Sequence, residues 1–239
     1  MDIIPAIIPE SFEDLAGKLR QVKGLTKTVQ IDITDGKFVP DACWPFTDAL
    51  AWSEFERVVA GEEGLPFWED FDFEADLMIE FPERNPDAWI AAGFSRVVLH
   101  VESTKNLAAA LEVLYGRVEI GLALNIATSE TALEPFMEKA DFIQCMGIET
   151  IGFQGQPFDE RVIPKIKAFR KRYPGVTISV DGGVSLASIS KLEDAGASRF
   201  ISGSAVFGTG NPAKAIRELM AAGEHTESGE RETKNSSHQ

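Results

Sequence analysis

Short apolar runs recur along the chain at Ile3–Ile8, Thr28–Ile33, Phe73–Ile79, Arg96–Val101, Val118–Leu124, Asp141–Cys145, Val176–Val180 and Arg199–Ser202. Each is of strand length. Between most of them lie stretches with helical spacing, at Ser11–Val22, Thr104–Leu114 and Asp159–Arg172, and Pro86–Ala92 leaves room for a short helix. Ser11 and Ser129 read as N-caps, and Asp14 follows Ser11 by three residues as in a near-capping box. Eight strands alternating with helices predict an α/β fold with a parallel sheet, and eight is the number that closes a single (β/α)8 TIM barrel. A doubly wound open sheet is the alternative.

Two segments break this rhythm. Residues 54–74 hold eight acids and one Arg among Phe55, Phe67, Trp68, Phe71 and Phe73. They predict an enlarged acidic-aromatic connection before strand 3, either a solvated joint or an interaction or lid segment. Residues 223–239 contain no apolar side chain able to anchor them. They predict a disordered C-terminal tail, which limits the barrel to 1–222 and removes His225 and His238 from consideration as metal ligands.

Polar residues within the apolar runs carry the chemistry. On an alternating strand Gln30 and Asp32 share one face while Ile31 and Ile33 share the other. A polar pair inside a barrel is costly unless it is hydrogen-bonded or used. Asp76 is flanked by apolar residues in strand 3, and Asp181 ends strand 7. Two strand ends then carry glycine, in Asp181-Gly182-Gly183 and Gly203-Ser204-Ala205. Glycine lets backbone N–H groups approach an anion, and the loops after strands 7 and 8 are the usual phosphate site of such barrels. The long stretch from Met146 to Phe158 adds Gly152 and Gly155, which suit an anion nest or a closing flap. His100, near the end of strand 4, reads as a packed barrel residue, with a catalytic role as the alternative.

Composition narrows the partners. The 239 residues are 44% hydrophobic and carry a net charge of −15, which argues against nucleic acid and anionic membrane surfaces. A phosphate would then be held by backbone amides rather than by Lys or Arg. Two cysteines, Cys43 and Cys145, indicate no disulfide framework, and no apolar run approaches the roughly 18 residues of a membrane span. The first residues lack a basic segment of the signal-peptide kind, so a cytoplasmic location is expected.

The ordered set IIPAIIPESFEDL, QIDITDGKFVP, DLMIEFPERNPDAWIAAG, VVLHVES, IGLALNIATSETALEPF, GFQGQPF, VDGGVSLASISKLEDAGA and ISGSAVF resembles the ribulose-phosphate 3-epimerase family. The resemblance implies proton removal beside a ketone and redelivery on the opposite face by two aspartates, which match Asp32 and Asp181. It implies phosphate binding at positions matching Gly152, Gly155, Gly182, Gly183, Gly203 and Ser204. It also implies a divalent metal held by two His and the two Asp. Both His positions differ, with Gln30 on strand 2 and Asp76 on strand 3, and two serines of the strand-1 motif appear as Ala6 and Pro9. The oxygen-only set Gln30, Asp32, Asp76 and Asp181 favours Mg2+ or Mn2+ over zinc. The family's habit of association makes a homo-oligomer the expectation.

A sugar-phosphate epimerase is therefore the leading expectation. A sugar-phosphate aldolase or decarboxylase on the same barrel is a second, but related barrels of that kind use a D-x-K-x-x-D lysine. The stretch Asp32-Ile33-Thr34-Asp35-Gly36 has none. A non-catalytic phosphometabolite-binding or assembly protein is the third, prompted by the replaced histidines and the acidic-aromatic insertion.

Overall fold

Strand alternation separates two interiors. In the computed structural model, which describes residues 1–234, the strands are β1 (Asp2–Ile7), β2 (Thr28–Thr34), β3 (Asp72–Met78), β4 (Phe94–His100), β5 (Glu119–Leu124), β6 (Phe142–Met146), β7 (Thr177–Asp181) and β8 (Arg199–Ser202). They close in chain order, all parallel, with β8 pairing back to β1. This is a single (β/α)8 TIM barrel; the open-sheet alternative is excluded by the β1–β8 ladder.

One face of each strand, including Ile31, Ile33, Leu77, Leu99, Leu122, Ile143, Val180 and Phe200, packs outward into the main core beneath the helices. The other face fills the barrel and is unusually polar. Gln30, Asp32, Glu74, Asp76, His100, Gln144, Ser179, Asp181 and Arg199 are all buried. At the N-terminal end Arg199 closes this column, with Nη2 2.6 Å from Glu74 Oε2 and Nη1 3.1 Å from Ser179 Oγ. Its guanidinium stacks 4.6 Å from the centre of the Phe142 ring. The buried ion pair is thus also hydrogen-bonded and stacked, the condition under which burying charge is tolerated.

Helix α1 (Phe12–Val22) starts where the capping signal put it. Ser11 Oγ accepts from Asp14 N–H at 3.1 Å, while the Asp14 carboxylate reaches back to Glu10 N–H at 2.9 Å, one residue earlier than in a standard box. Helix α2 (Ala49–Val59) is capped by Asp48, whose side chain accepts from Leu50 and Ala51 N–H. A short 3-10 turn (Pro82–Arg84) leads into α3 (Pro86–Ala91). After β5 the chain forms a 3-10 segment over Glu130–Lys139 rather than an α-helix. Pro135 inside it lacks the N–H that an α-helix needs. Helices α4 (Leu107–Leu114), α5 (Val162–Arg172), α6 (Ile189–Ala195) and α7 (Ser204–Phe207) complete the outer layer with α8 (Pro212–Lys234).

The acidic-aromatic stretch divides into known parts: its first residues finish α2 and its last enter β3. Phe55, Phe71 and Phe73 are buried, and Phe55 packs 5.0 Å from Trp89 and edge-on to Trp44. These rings join α2 and α3 to the sheet, while Trp68 is 64% exposed. Helix α8 runs into the range 223–239 set apart above as a tail, and residues 235–239 lie outside the described residues. Among the described residues no helix is long and apolar enough to cross a membrane.

Candidate active site

Three carboxylates converge in the upper half of the barrel. Asp32 on β2 pairs in register with Asp76 on β3, and Asp181 closes β7 beside Met146 of β6. One oxygen each of Asp32, Asp76 and Asp181 lies within 4.8 Å of the others. Gln30, one turn of alternation below Asp32, donates from Nε2 to Asp32 Oδ1 at 2.8 Å and stands 3.5 Å from Asp181 Oδ2. Asp76 is held on both oxygens, by His100 Nε2 at 2.9 Å and by Gln144 Nε2 at 2.9 Å. Because Asp76 accepts, His100 carries its proton on Nε2, and its Nδ1 has no partner.

This packing changes the acidities. Burial raises the Asp32 carboxyl well above the ordinary range, and the charges of Asp181 and Asp76 add to it. Burial and then the Asp76 charge push Asp181 up to about 8. For His100, burial opposes the charged form but the neighbouring Asp76 outweighs it, so its pKa rises. Asp32 and Asp181 still reach the cavity, at 5% and 9% exposure, whereas Gln30, Asp76, His100 and Gln144 are fully enclosed. The site therefore presents two carboxylates to a ligand and hides their partners.

The same cavity is lined by all six of the expected phosphate positions: Gly152, Gly155, Gly182, Gly183, Gly203 and Ser204. Three of these, Gly152, Gly182 and Gly183, combine a positive φ with no room for a Cβ. Gly182 and Gly183 have φ of +88° and +70°, and a Cβ on Gly183 would stand 2.8 Å from the Phe158 Cα. The β7 turn and the β6 loop thus approach backbone to backbone, as a nest of N–H groups requires. The long loop is pinned at its base, where Gly147 N–H donates to Asp181 O at 2.7 Å and Asp159 N–H to Gly147 O at 2.8 Å.

Val39, Met78, Met146, Ile148 and Ile151 form a separate buried apolar cluster, with Phe38 packed against it. Met78, Met146 and Ile148 also line the cavity. This collar and Gln144 were not among the residues singled out from sequence. Gln144 alternates with Phe142 and Met146 on β6, so strand parity was the available signal. His100 lies where it was expected, packed inside the barrel, and its contact with Asp76 is the added finding.

The model of the ribulose-phosphate 3-epimerase family matches residues 2–207. The chain belongs to this family. It is 31% identical over 227 residues to the ribulose-phosphate 3-epimerase of Bacillus subtilis, covering 92% of this chain and 98% of the relative. With that of Schizosaccharomyces pombe it shares 29% identity over 220 residues, 91% of both chains. Membership makes this chain an enzyme of the epimerase kind. Solved structures share the fold at low identity: a 3-hexulose-6-phosphate synthase from Salmonella typhimurium superposes with a TM-score of 0.68 at 15% identity, covering 94% of this chain and 99% of that one. Gln30 and Asp76, which the resemblance matches to the family's two histidines, are both buried in this site.

Proposed function

We propose that the protein interconverts ketose phosphates that differ at the carbon beside the ketone, with Asp32 and Asp181 as the acid/base pair. The observation that carries this reading is that both carboxylates face one cavity, from β2 and β7, with raised and mutually dependent acidities. Burial and mutual repulsion oppose ionising both at once, so such a pair keeps one shared proton to higher pH than isolated carboxylates do. One member is then ionised to take the substrate's proton while the other holds a proton to deliver from the opposite side. The amides around Gly152, Gly155, Gly182, Gly183, Gly203 and Ser204 hold the phosphate, which suits a chain of net charge −15. The apolar collar keeps bulk water from the enediolate. The fully enclosed Gln30 orients Asp32 and Asp181 through its amide.

The donor set also fits a divalent cation. Gln30 Oε1 is buried without a partner, and turning the carboxamide over would aim it at Asp32 and Asp181. Asp76 keeps lone pairs beyond those used by His100 and Gln144. Gln30, Asp32, Asp76 and Asp181 would hold the ion, an all-oxygen set suited to Mg2+ or Mn2+. When bound, such an ion supplies Lewis-acid stabilisation of developing negative charge on the substrate oxygens. The two cysteines are free and buried, which supports a cytoplasmic location.

Solvent deuterium incorporation into ribulose 5-phosphate tests the reading. Carbon-bound deuterium is expected. Release of an aldehyde or CO2 would move the protein to the lyase class, and binding without exchange would make it a phosphometabolite-binding protein.

A further inference from the structure

Gln154 sits on the crest of the loop between β6 and α5 with its stem exposed, yet its amide reaches back to the barrel mouth. Its Nε2 donates to the carbonyl of Ala6, on β1, at 3.2 Å across 148 residues of chain. The same amide lies close to Gly203, just past the end of β8. A Cβ on Gly203 would collide with Gln154 Nε2 and stand 2.7 Å from its Cδ. One side chain thus bridges three separate segments around the phosphate end of the site.

The space left is small. With Gln154 in place the cavity between Asp32, Asp181 and the glycine turns measures about 40 Å³. The passage is narrow here, whereas pockets that enclose small-molecule ligands run to a few hundred Å³. Gln154 lines this space beside Gly203, so its amide stands on the way to the glycine turns. The tie from Gln154 to Ala6 is a hydrogen bond between the stretch Gly152–Phe158 and the barrel.

We infer that Gln154 is the latch of this site: ligand enters when the Gln154 carboxamide leaves Ala6 and Gly203, and the loop recloses over it. A neutral amide suits the task, since it adds no charge to compete lastingly with phosphate for the backbone N–H groups. The tie is one neutral hydrogen bond, whose loss in exchange with water changes an equilibrium about two- to tenfold. Such a latch biases the loop closed without locking it.

The inference rests on the epimerase reading for its ligand but not for its latch. The test uses the full-length chain. Hydrogen exchange of the amides in 152–158 is measured without ligand, and stopped-flow association is measured with ribulose 5-phosphate. Gln154→Ala is expected to speed both by about two- to tenfold with the melting temperature unchanged. Gly203→Ala, at a φ of −91° that alanine accepts, places its methyl on the amide and is expected to speed exchange likewise. Exchange within twofold of the parent in both variants overturns the latch. Slower association in Gln154→Ala also overturns it, because the amide would then be a binding donor. Failure of the parent chain to bind ribulose 5-phosphate defeats the epimerase reading instead, and leaves the exchange measurement to judge the latch.

Discussion

His100 Nε2 lies 2.9 Å from Asp76 Oδ1, and both side chains are completely shielded from solvent. Asp76 occupies a position that the family resemblance gives to a histidine, so a carboxylate has entered the barrel interior. His100 and Gln144 are the groups that make this tolerable, one on each oxygen. They also fix the direction in which Asp76 faces Asp32 and Asp181.

Removing that support has a stability consequence. His100→Leu leaves a buried carboxylate with Gln144 as its remaining donor, and is expected to cost roughly 3–5 kcal/mol, the scale for breaking a buried charge pair. Adding Asp76→Asn to the same chain is expected to recover part of the loss, because the uncompensated charge is gone. Urea unfolding measures both. A loss below about 1 kcal/mol in His100→Leu would show that the pair contributes no net stability.

Asp32→Asn and Asp181→Asn are each expected to slow solvent proton exchange on ribulose 5-phosphate by at least about a hundredfold, the usual scale for a general acid or base. Phosphate binding by either variant is expected to persist, since the glycine turns are untouched. Near-parental exchange in either one would sink the two-aspartate mechanism.

Metal preference follows from the ligand atoms. Activity is expected to fall on exhaustive chelation and to return with Mg2+ or Mn2+. The double substitution Gln30→His and Asp76→His is expected to shift the bound metal toward zinc or iron, read by elemental analysis of dialysed protein. Full activity with no detectable metal would mean that the aspartates work alone.

The raised acidities predict a pH dependence of stability for protein freed of divalent ions. Carboxyls of the unfolded chain release their protons near pH 4. In the folded chain Asp32 and Asp181 hold theirs higher, Asp181 to about 8. Between these limits the unfolded state binds fewer protons than the folded one, so stability falls as pH rises and levels off beyond the upper limit. Thermal melts from pH 5 to 8.5 are expected to show this decline, and Asp181→Asn to flatten it. A parental curve that rises across the window contradicts the assignment.

The aromatic layer outside the barrel is expected to carry ordinary core energetics. Phe55 is 1% exposed and touches Trp44, Trp52 and Trp89. Phe55→Ala is expected to cost about 3–5 kcal/mol by the cavity it leaves. Trp68→Ala, at an exposed position of the same acidic-aromatic stretch, is expected to change stability by less than about 0.5 kcal/mol.

The sequence by itself determined the number and order of the strands, because an apolar run between turn residues is a local signal. It also determined that Gln30 and Asp32 share a face, because side chains alternate with a period of two wherever a strand forms. The glycines at Gly182 and Gly183 were legible for the same local reason. What those inward residues meet was decided by barrel closure. Gln30 comes to Asp181 across 151 residues, Arg199 to Glu74 across 125 and Gln154 to Ala6 across 148. No periodicity encodes such pairings; they depend on the register of all eight strands at once. The acidities of Asp32 and Asp181 belong to the same class of property. An aspartate in the sequence is an ordinary carboxylate, and only the loss of water around it and the approach of two other carboxylates raise its pKa above the usual range.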